Sequence, residues 1–570
     1  MTSTENSSND AFGLHPLQFP ELFDTICRFL DIKTCANLLF LSHRTYAAVL
    51  PIVWKDVDMR DLLRLIPGAN TTDISTDDSK GYETHFPVTR DLTRFDIHAP
   101  FVKTLRVSDS YTVDFPYGEW PSSGPDTRTN PLLPNLQRLF IITFDTIGLG
   151  LDVNWVPRLL YPDLLGLEIF LAEPSVDEDK CRSWINQDIC FELVNQISRI
   201  CPRIETLRLF PEHIARSDKN NCIRIYNRIA GLHHLRSLAF SGTIVHEELL
   251  KALGRLPRLE TLSLYTDYRD KWEHDESPLA VSDDSFPSLR YLYLSGLDES
   301  TMSRVCKVPP LFRHLVKTTI IFDSQNFDEN MEDNERSDVA VTCLGQNSPQ
   351  VEELTILPMG NNGLFFISRP TLDKFKRMPL RYLRLGHFIF DEENEEDGSD
   401  DRNVVAHDQN NRPETEWQGL LASVPLLEEL HLERQPLDPR LLRLIALRLT
   451  NLRLLVFGNL NLGKVKSSDE TKPTAAQPIT LRGHSYFWSR ESFRRGKHDR
   501  PTEKTIHNAA KYIFSVWPNV MACETQRTFG DTGYTESEPD EATAAKLYAA
   551  IQSLKAEAND GEGRQTSLAD

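Results

Sequence analysis

One short phrase recurs along this chain and constrains its fold more than any other feature. From about residue 101 to 457, a proline or turn is followed by an L-x-x-L-x-L-like run: FVKTLRV, LPNLQRLFI, YPDLLGLEIF, CPRIETLRLF, LHHLRSLAF, LPRLETLSLY, FPSLRYLYL, SPQVEELTIL, MPLRYLRL, VPLLEELHL and LTNLRLLVF. The central leucines Leu105, Leu139, Leu167, Leu207, Leu238, Leu262, Leu292, Leu354, Leu383, Leu430 and Leu455 alternate with polar neighbours. A half-buried strand with a side-chain period of two requires that alternation. Repeats of roughly 20 to 50 residues, each carrying one such strand, stack into a solenoid, because no single repeat can bury its apolar face alone.

Segments ahead of several strands carry stripes at helical spacing: Ile189, Leu193, Ile197 and Ile200; Leu249, Leu250, Leu253 and Leu256; Trp417, Leu420, Leu421 and Val424. The expected unit is therefore a strand plus a helix. The gap between Leu292 and Leu354 is expected to hold one further strand in VKTTIIFD, residues 316–323, where Thr318 to Phe322 are β-branched or aromatic. IHNAAKYIFSVWPNVMA at 506–522 repeats the order of helix, proline and strand, and 541–556, with Leu547, Ile551 and Leu554 in one stripe, reads as a lone terminal helix.

Ahead of the repeats, three short helices are expected between Phe19 and Trp54. Leu22, Phe23, Ile26, Phe29 and Leu30 make one stripe, Leu38, Leu39 and Leu41 a second, and Tyr46, Val49, Leu50 and Val53 a third. Pro20 suits a first helical turn, and Asp31, Lys33 and Thr34 mark the next polar break. So small a unit hides little of its surface, which leaves apolar area to face a partner or the next domain.

The stretch FPELFDTICRFLDIKTCANLLFLSHRTYAAVLPIVWKDV resembles an F-box through Pro20, Glu21, Leu22, Ile26, Leu30, Asp31, Leu38, Leu41, Arg44, Tyr46, Pro51 and Trp54. It departs from the family pattern where Gln18 and Phe19 replace the common Leu-Pro opening and where His43 stands at a frequent Cys position. The array after it resembles the degenerate leucine-rich repeats of fungal F-box proteins. The fold class implied is α/β: a small N-terminal helical F-box module, then a leucine-rich-repeat solenoid, a horseshoe of strand plus helix repeats. Expected limits are a disordered N-terminus over 1–13, the F-box-like domain over 14–58, and a linker with the solenoid's start over 59–100. The irregular solenoid follows over 101–530 and an acidic tail with a short helix over 531–570. Residues 68–90, lacking apolar period and rich in Thr, Ser and Asp, are expected to loop out.

The resemblance implies a substrate-recognition subunit of an SCF-type cullin-RING ubiquitin ligase, itself without a catalytic site. Its partners would be a Skp adaptor, through it a cullin scaffold, and a protein client. By resemblance the adaptor would meet Leu17, Phe19, Pro20, Leu22, Ile26 and Leu30, several of which fit a plain core role equally well. Solenoid strands line a broad concave face, where Arg208, Tyr265, Tyr293 and Arg384 are outward residues of the types that dominate interface energetics. A protein that binds the adaptor without a ligase role, and a repeat-only interaction scaffold, remain the alternatives.

Charge and composition exclude other classes. A net charge of −20 disfavours nucleic-acid binding, which needs a dominant basic face. The basic-aromatic stretch RGHSYFWSRESFRRGKHDR at 482–500 runs against that acidity and reads first as a surface loop. The runs DENMEDNERSD at 328–338 and DEENEEDGSDD, within an insertion over 391–411, carry too much like charge to pack and are expected to protrude. No apolar stretch is long enough for a bilayer, and the N-terminus lacks signal-peptide character, so a cytoplasmic or nuclear location without membrane contact is expected. Nine cysteines in odd number and without a CxxC pair suggest neither a disulfide framework nor a zinc site. No phosphate loop, nucleophile elbow or HExxH motif is present, His233 and His234 fall at an expected polar turn, and no cofactor is expected.

Overall fold

The computed structural model describes residues 20–76, 79–85, 91–108, 111–112, 132–143, 156–171, 185–210, 219–241, 247–266, 279–297, 299–322, 336–358, 365–386, 388–390, 414–460, 475, 477–485, 501–525 and 541–566. They fall into two units: one holds the described residues through 171 together with 185–210, the other those from 219 onward.

The first unit begins with three helices, α1 (Pro20–Phe29), α2 (Ile32–Leu38) and α3 (His43–Val53). Their ends are fixed by side chains that satisfy otherwise orphaned backbone N–H groups. The Thr34 backbone N–H and Oγ1 both donate to the Asp31 carboxylate at 2.8 Å, and those two hydrogen bonds, the backbone one first, hold its carboxyl below the usual value. Ser42 and Thr45 form a reciprocal capping box on α3. Phe23, Cys27, Cys35 and Val49 make the buried centre, against which Leu30, Leu38, Leu39, Ile52 and Val53 pack. Trp54 ends α3 and stacks on His98 with ring centroids 4.4 Å apart, which ties the helical module to the helix Thr93–His98.

Five strands of the same unit run in parallel: β1 (Asp56–Asp58), β2 (Thr104–Ser108), β3 (Arg138–Thr143), β4 (Gly166–Leu171) and β5 (Thr206–Leu209). The strand expected near Val57 is β1. Within 68–90, where a loop is expected, Asn70–Thr76 instead pairs antiparallel with Ser79–His85. Thr, Ile and Tyr in those runs suit a pleated surface even without apolar alternation, and a hairpin satisfies their backbone groups locally.

Among the described residues of the second unit, ten strands continue the ladder, and Phe365–Ile367 pairs with Phe388–Phe390 in a separate two-stranded sheet: β6 (Ser237–Ser241), β7 (Thr261–Tyr265), β8 (Tyr291–Leu297), β9 (Lys317–Phe322), β10 (Glu353–Pro358), β11 (Tyr382–Leu385), β12 (Glu429–Leu437), β13 (Leu454–Leu460), β14 (Ile479–Ser485) and β15 (Val520–Thr525) make up the ladder. Each pairs in parallel with the next. Helices in the connections, among them Glu247–Gly254, Arg336–Asn347 and Glu414–Ser423, supply the crossover that a parallel ladder needs. This is the strand-plus-helix architecture of a leucine-rich-repeat solenoid, open rather than closed into a barrel.

Register explains why the repeated leucine is indispensable. Leu262 pairs with Leu238 and Leu292, and Leu354 with Leu383, which in turn pairs with Leu430 and so to Leu455. All are at most 2% exposed, so the central leucines form one continuous column inside the repeats. The strand expected in 316–323 is β9, and its Thr318 takes the leucine's place between Leu292 and Leu354. Thr318 is fully buried and its Oγ1 has no hydrogen-bond partner among the described residues. A buried hydroxyl without a partner carries a desolvation penalty, so Thr318→Val, which keeps shape and removes the hydroxyl, is expected to stabilise the second unit by about 1 kcal/mol. A rise in the urea midpoint checks this, and an unchanged or lower midpoint contradicts it.

Gly296 interrupts β8 at φ +73°, where the register slips between Ser295 and Leu297. A Cβ there would lie 2.1 Å from the Thr266 carbonyl oxygen, so both the left-handed backbone and the close approach demand glycine.

At the C-terminal end, the helix Glu503–Val516 precedes β15, as the order of helix, proline and strand predicts. The last helix differs from expectation: it runs Glu541–Thr566 and is not solitary. Leu547 and Ile551 are fully buried, and Gln552 Nε2 donates to the Val520 carbonyl at 3.4 Å, on the strand that ends the ladder. Covering an edge strand in this way removes a ready template for unwanted pairing. Residues 328–335, 391–411 and 486–500, where most of the acidic insertions and the basic-aromatic stretch fall, lie outside the described residues.

Candidate functional site

Two surfaces stand out. The first belongs to the helical module, where α1 is two-faced. Phe23, Cys27 and Leu30 follow i, i+4, i+7 spacing toward the module's centre, while Ile26 and Phe29 lie on the other side. Phe29 is 85% exposed, Phe40 87% and Leu41 67%. Ile26, Ile32 and Tyr46 are also exposed. The sequence places Phe29 in the same stripe as Phe23 and Leu41 in a second apolar stripe. In the structure α2 ends at Leu38, so Leu41 lies beyond the helix and its stripe does not close on the core. A module of this size cannot bury more large side chains than its three short helices enclose.

Among the residues singled out by the resemblance, Leu17 and Phe19 fall outside the described residues, and Pro20 and Leu22 lie within α1. Ile26 is exposed, and Leu30 packs against the core. Phe40 and Leu41, between α2 and α3, are the side chains that helical periodicity does not single out as surface, whereas Phe29 already falls off the face of Phe23, Cys27 and Leu30.

The second surface is the outward row of the strands, one position beyond each buried central residue, which is a leucine in most strands and Val57, Thr318 or Cys523 in three. In the first unit it runs Asp58, Arg106, Phe140, Glu168 and Arg208. Arg208 there sits 3.8 Å from the Glu168 carboxylate. In the second unit it runs Ala239, Ser263, Tyr293, Thr319, Thr355, Arg384, His431, Val456, Arg482 and Glu524, of which Ala239, Thr355 and Val456 are buried among their neighbours. Tyr265 and Tyr293 meet with ring centroids 4.9 Å apart. Arg384 lies three strands further along the same row as Tyr293, or roughly 14 Å at about 4.8 Å per strand. The ladder therefore brings together two of the four expected client residues, puts a third on the same row, and holds Arg208 in the other unit.

Within that row, His431 packs on Tyr382 at 4.8 Å and approaches Glu429 at 3.5 Å, while Arg482 Nε and Nη2 both donate to Glu524 Oε2 at 2.8 and 2.6 Å. Two positions ahead of each central leucine in the second unit, a column of charge alternates in sign. Arg236 pairs with Glu260 at 2.9 Å. Glu352, Arg381, Glu428 and Arg453 pair in succession at 3.7, 3.0 and 3.5 Å. Such exposed pairs add little stability, and their consequence is that this border of the sheet is largely neutralised. The column is legible in the sequence once the leucines are aligned, since Arg and Glu alternate at a fixed offset.

Titratable chemistry is muted. Burial pushes the thiols of Cys190 and Cys523 up to about 12 and that of Cys201 to about 11, so each is protonated at neutral pH. His233 and His234 are exposed in a turn, as expected. Among the described residues no group of three or more His, Cys, Asp or Glu side chains is placed to hold a metal ion, and no helix is long and apolar enough to cross a membrane.

No protein-family profile matches this chain, and no curated protein does. Among solved structures it is similar to the chain in the crystal structure of a TLR13–ssRNA13 complex, at 14% identity and a TM-score of 0.33, over 71% of this chain and 52% of that one. It is also similar to a Bacteroides fragilis protein of known crystal structure, at 11% identity and a TM-score of 0.24, over 46% of this chain and 67% of that one. The chain thus spans about half the length of the first of these.

Proposed function

We propose that this protein is a non-catalytic substrate receptor of an SCF-type cullin-RING ubiquitin ligase. Its F-box-like helical module would dock a Skp-type adaptor, and its repeat strands would hold a protein client. The observation that carries this reading is the set of large apolar side chains, Phe29, Phe40 and Leu41 with Ile26 and Ile32, left exposed on a helical module whose own core is already complete. Exposed apolar area of that kind marks a partner surface. The F-box resemblance over Pro20 to Trp54 supplies the chemistry of the partner.

In such an assembly the receptor contributes effective concentration: it holds the client near a charged ubiquitin carrier supplied by other subunits and makes or breaks no bond itself. Co-purification with a Skp adaptor tests the docking half. Recovery of a cullin, with ubiquitin transfer to a bound client, tests the ligase half. An intact chain that recovers no adaptor overturns the proposal and leaves a repeat scaffold whose first helices cap the ladder.

Client capture is expected to depend on the outward row. Alanine at Tyr265, Tyr293 and Arg384 together is expected to weaken client binding at least ~100-fold, on the scale of two to three interface hot spots, while adaptor recovery is unchanged. Loss of both activities at once, with a lowered melting temperature, shows that the three residues are structural.

A further inference from the structure

Among the described residues the strand face of the second unit is not uniform, and one end of it carries little charge. Thr261, Ser263 and Tyr265 on β7, Tyr291 and Tyr293 on β8 and Thr319 on β9 are its solvent-reaching outward residues there, next to the short side chains of Ala239, Ser241 and Ser295. Lys317, at the border, is held by Glu353 at 2.7 Å. On the neighbouring edge Arg236 is held by Glu260, and Arg290, just ahead of Tyr291, is the exposed charge at that border. In a chain of net charge −20 with 26% charged residues, a neutral hydroxyl-and-ring surface across three adjacent strands marks its ligand as neutral too. A charged segment seated here would lose its hydration without gaining an opposite charge.

From this we infer that the client segment seated on β7, β8 and β9 is an uncharged, extended, proline-containing peptide. The inference rests on the strand row being the client-binding face, and it names the chemistry that face selects. An extended proline-rich strand makes no internal hydrogen bonds, so its carbonyls are available to the Thr261, Ser263 and Thr319 hydroxyls. Its pyrrolidine rings offer flat apolar faces to the paired rings of Tyr265 and Tyr293, which is how aromatic-lined grooves hold such segments. Tyrosine and serine together also give adaptable contact area at low entropic cost. Short neighbours such as Ala239 and Ser295 let a peptide backbone approach the sheet closely.

The test pans a phage-displayed library of random peptides against the full-length chain, in parallel with its Tyr265→Ala/Tyr293→Ala and Tyr265→Phe/Tyr293→Phe variants. Peptides enriched by the native chain are expected to share an uncharged stretch containing proline. Synthesised and measured by fluorescence anisotropy, they are expected to bind at least ~10-fold more weakly to the alanine variant and within about 3-fold to the phenylalanine variant. Their affinity is expected to change less than about 2-fold between roughly 0.05 and 0.5 M salt, since the contacting hydroxyls and rings carry no charge to be screened. Circular dichroism melts of both variants establish that they fold. Enriched peptides that share a charged motif, a steep loss of affinity with salt, or an absence of any tyrosine-dependent peptide overturns the inference. Adaptor recovery measured on the same preparations keeps the two readings apart: a chain that selects neutral proline peptides yet recovers no adaptor sinks the receptor assignment and leaves this site standing.

Discussion

Replacing Phe29 and Phe40 together by aspartate is expected to abolish recovery of a Skp-type adaptor, with a loss of at least ~100-fold in affinity, while the helical module stays folded. The two rings are 85% and 87% exposed, so neither supports the core of Phe23, Cys27, Cys35 and Val49, and their loss from the free protein costs little. In a complex, by contrast, each aspartate would be buried without a partner charge, which costs several kcal/mol per site. Binding by pull-down and titration, with circular dichroism on the same preparation, checks both halves. Full adaptor binding by the folded double variant would place the docking face elsewhere on the module. A Phe23→Ala control separates the two roles of phenylalanine in one helix, since that residue is buried and its truncation is expected to destabilise by about 3 kcal/mol or more.

The second large effect lies in the leucine column. Leu262→Ala is expected to cost about 3 kcal/mol, within the roughly 2 to 5 kcal/mol span of buried leucine truncations, because the side chain is fully buried between Leu238 and Leu292. Ser263→Ala, one residue on, is expected to stay within about 0.5 kcal/mol, since that side chain points to the other side of the sheet and reaches solvent. Urea midpoints of the two variants measure the contrast directly. In an array where each repeat contacts mainly its neighbours, the leucine variant is also expected to broaden the transition as adjoining repeats uncouple. Equal effects at 262 and 263 would contradict the period-two burial on which the repeat register rests.

The repeat grammar was readable because it is enforced by a local rule. A strand with one buried face must alternate, and parallel stacking requires the same phrase in every repeat, so Leu238, Leu262 and Leu292 announce themselves without any knowledge of their partners. The terminal repeat was readable on the same terms, since the helix Glu503–Val516 and β15 obey the same order of elements. Thr318 was the exception that propensity rescued: β-branched neighbours marked β9 as a strand even though the leucine was missing.

Other features were decided by contacts between segments distant in sequence. The hairpin of Asn70–Thr76 and Ser79–His85 has no apolar period to betray it, and its pairing is a matter of backbone register between the two runs. The last helix looked solitary because the edge of β15 that it covers is visible only once the ladder is assembled. Within the helical module, apolar spacing identified helices but could not apportion their residues. Phe23 and Phe29 fall in one run of apolar residues, yet they lie six positions apart on α1, and the first is buried while the second is 85% exposed. The client row divides in the same way. Sequence alternation determined that Arg208, Tyr265, Tyr293 and Arg384 point away from the leucines. The ladder decided that Tyr265 and Tyr293, diagonal neighbours on adjacent strands, touch through their rings, that Arg384 shares the row of Tyr293 at a distance, and that Arg208 faces Glu168 in the other unit. Alternation is a property of one strand, whereas adjacency is a property of the ladder, and only the folded ladder fixes it.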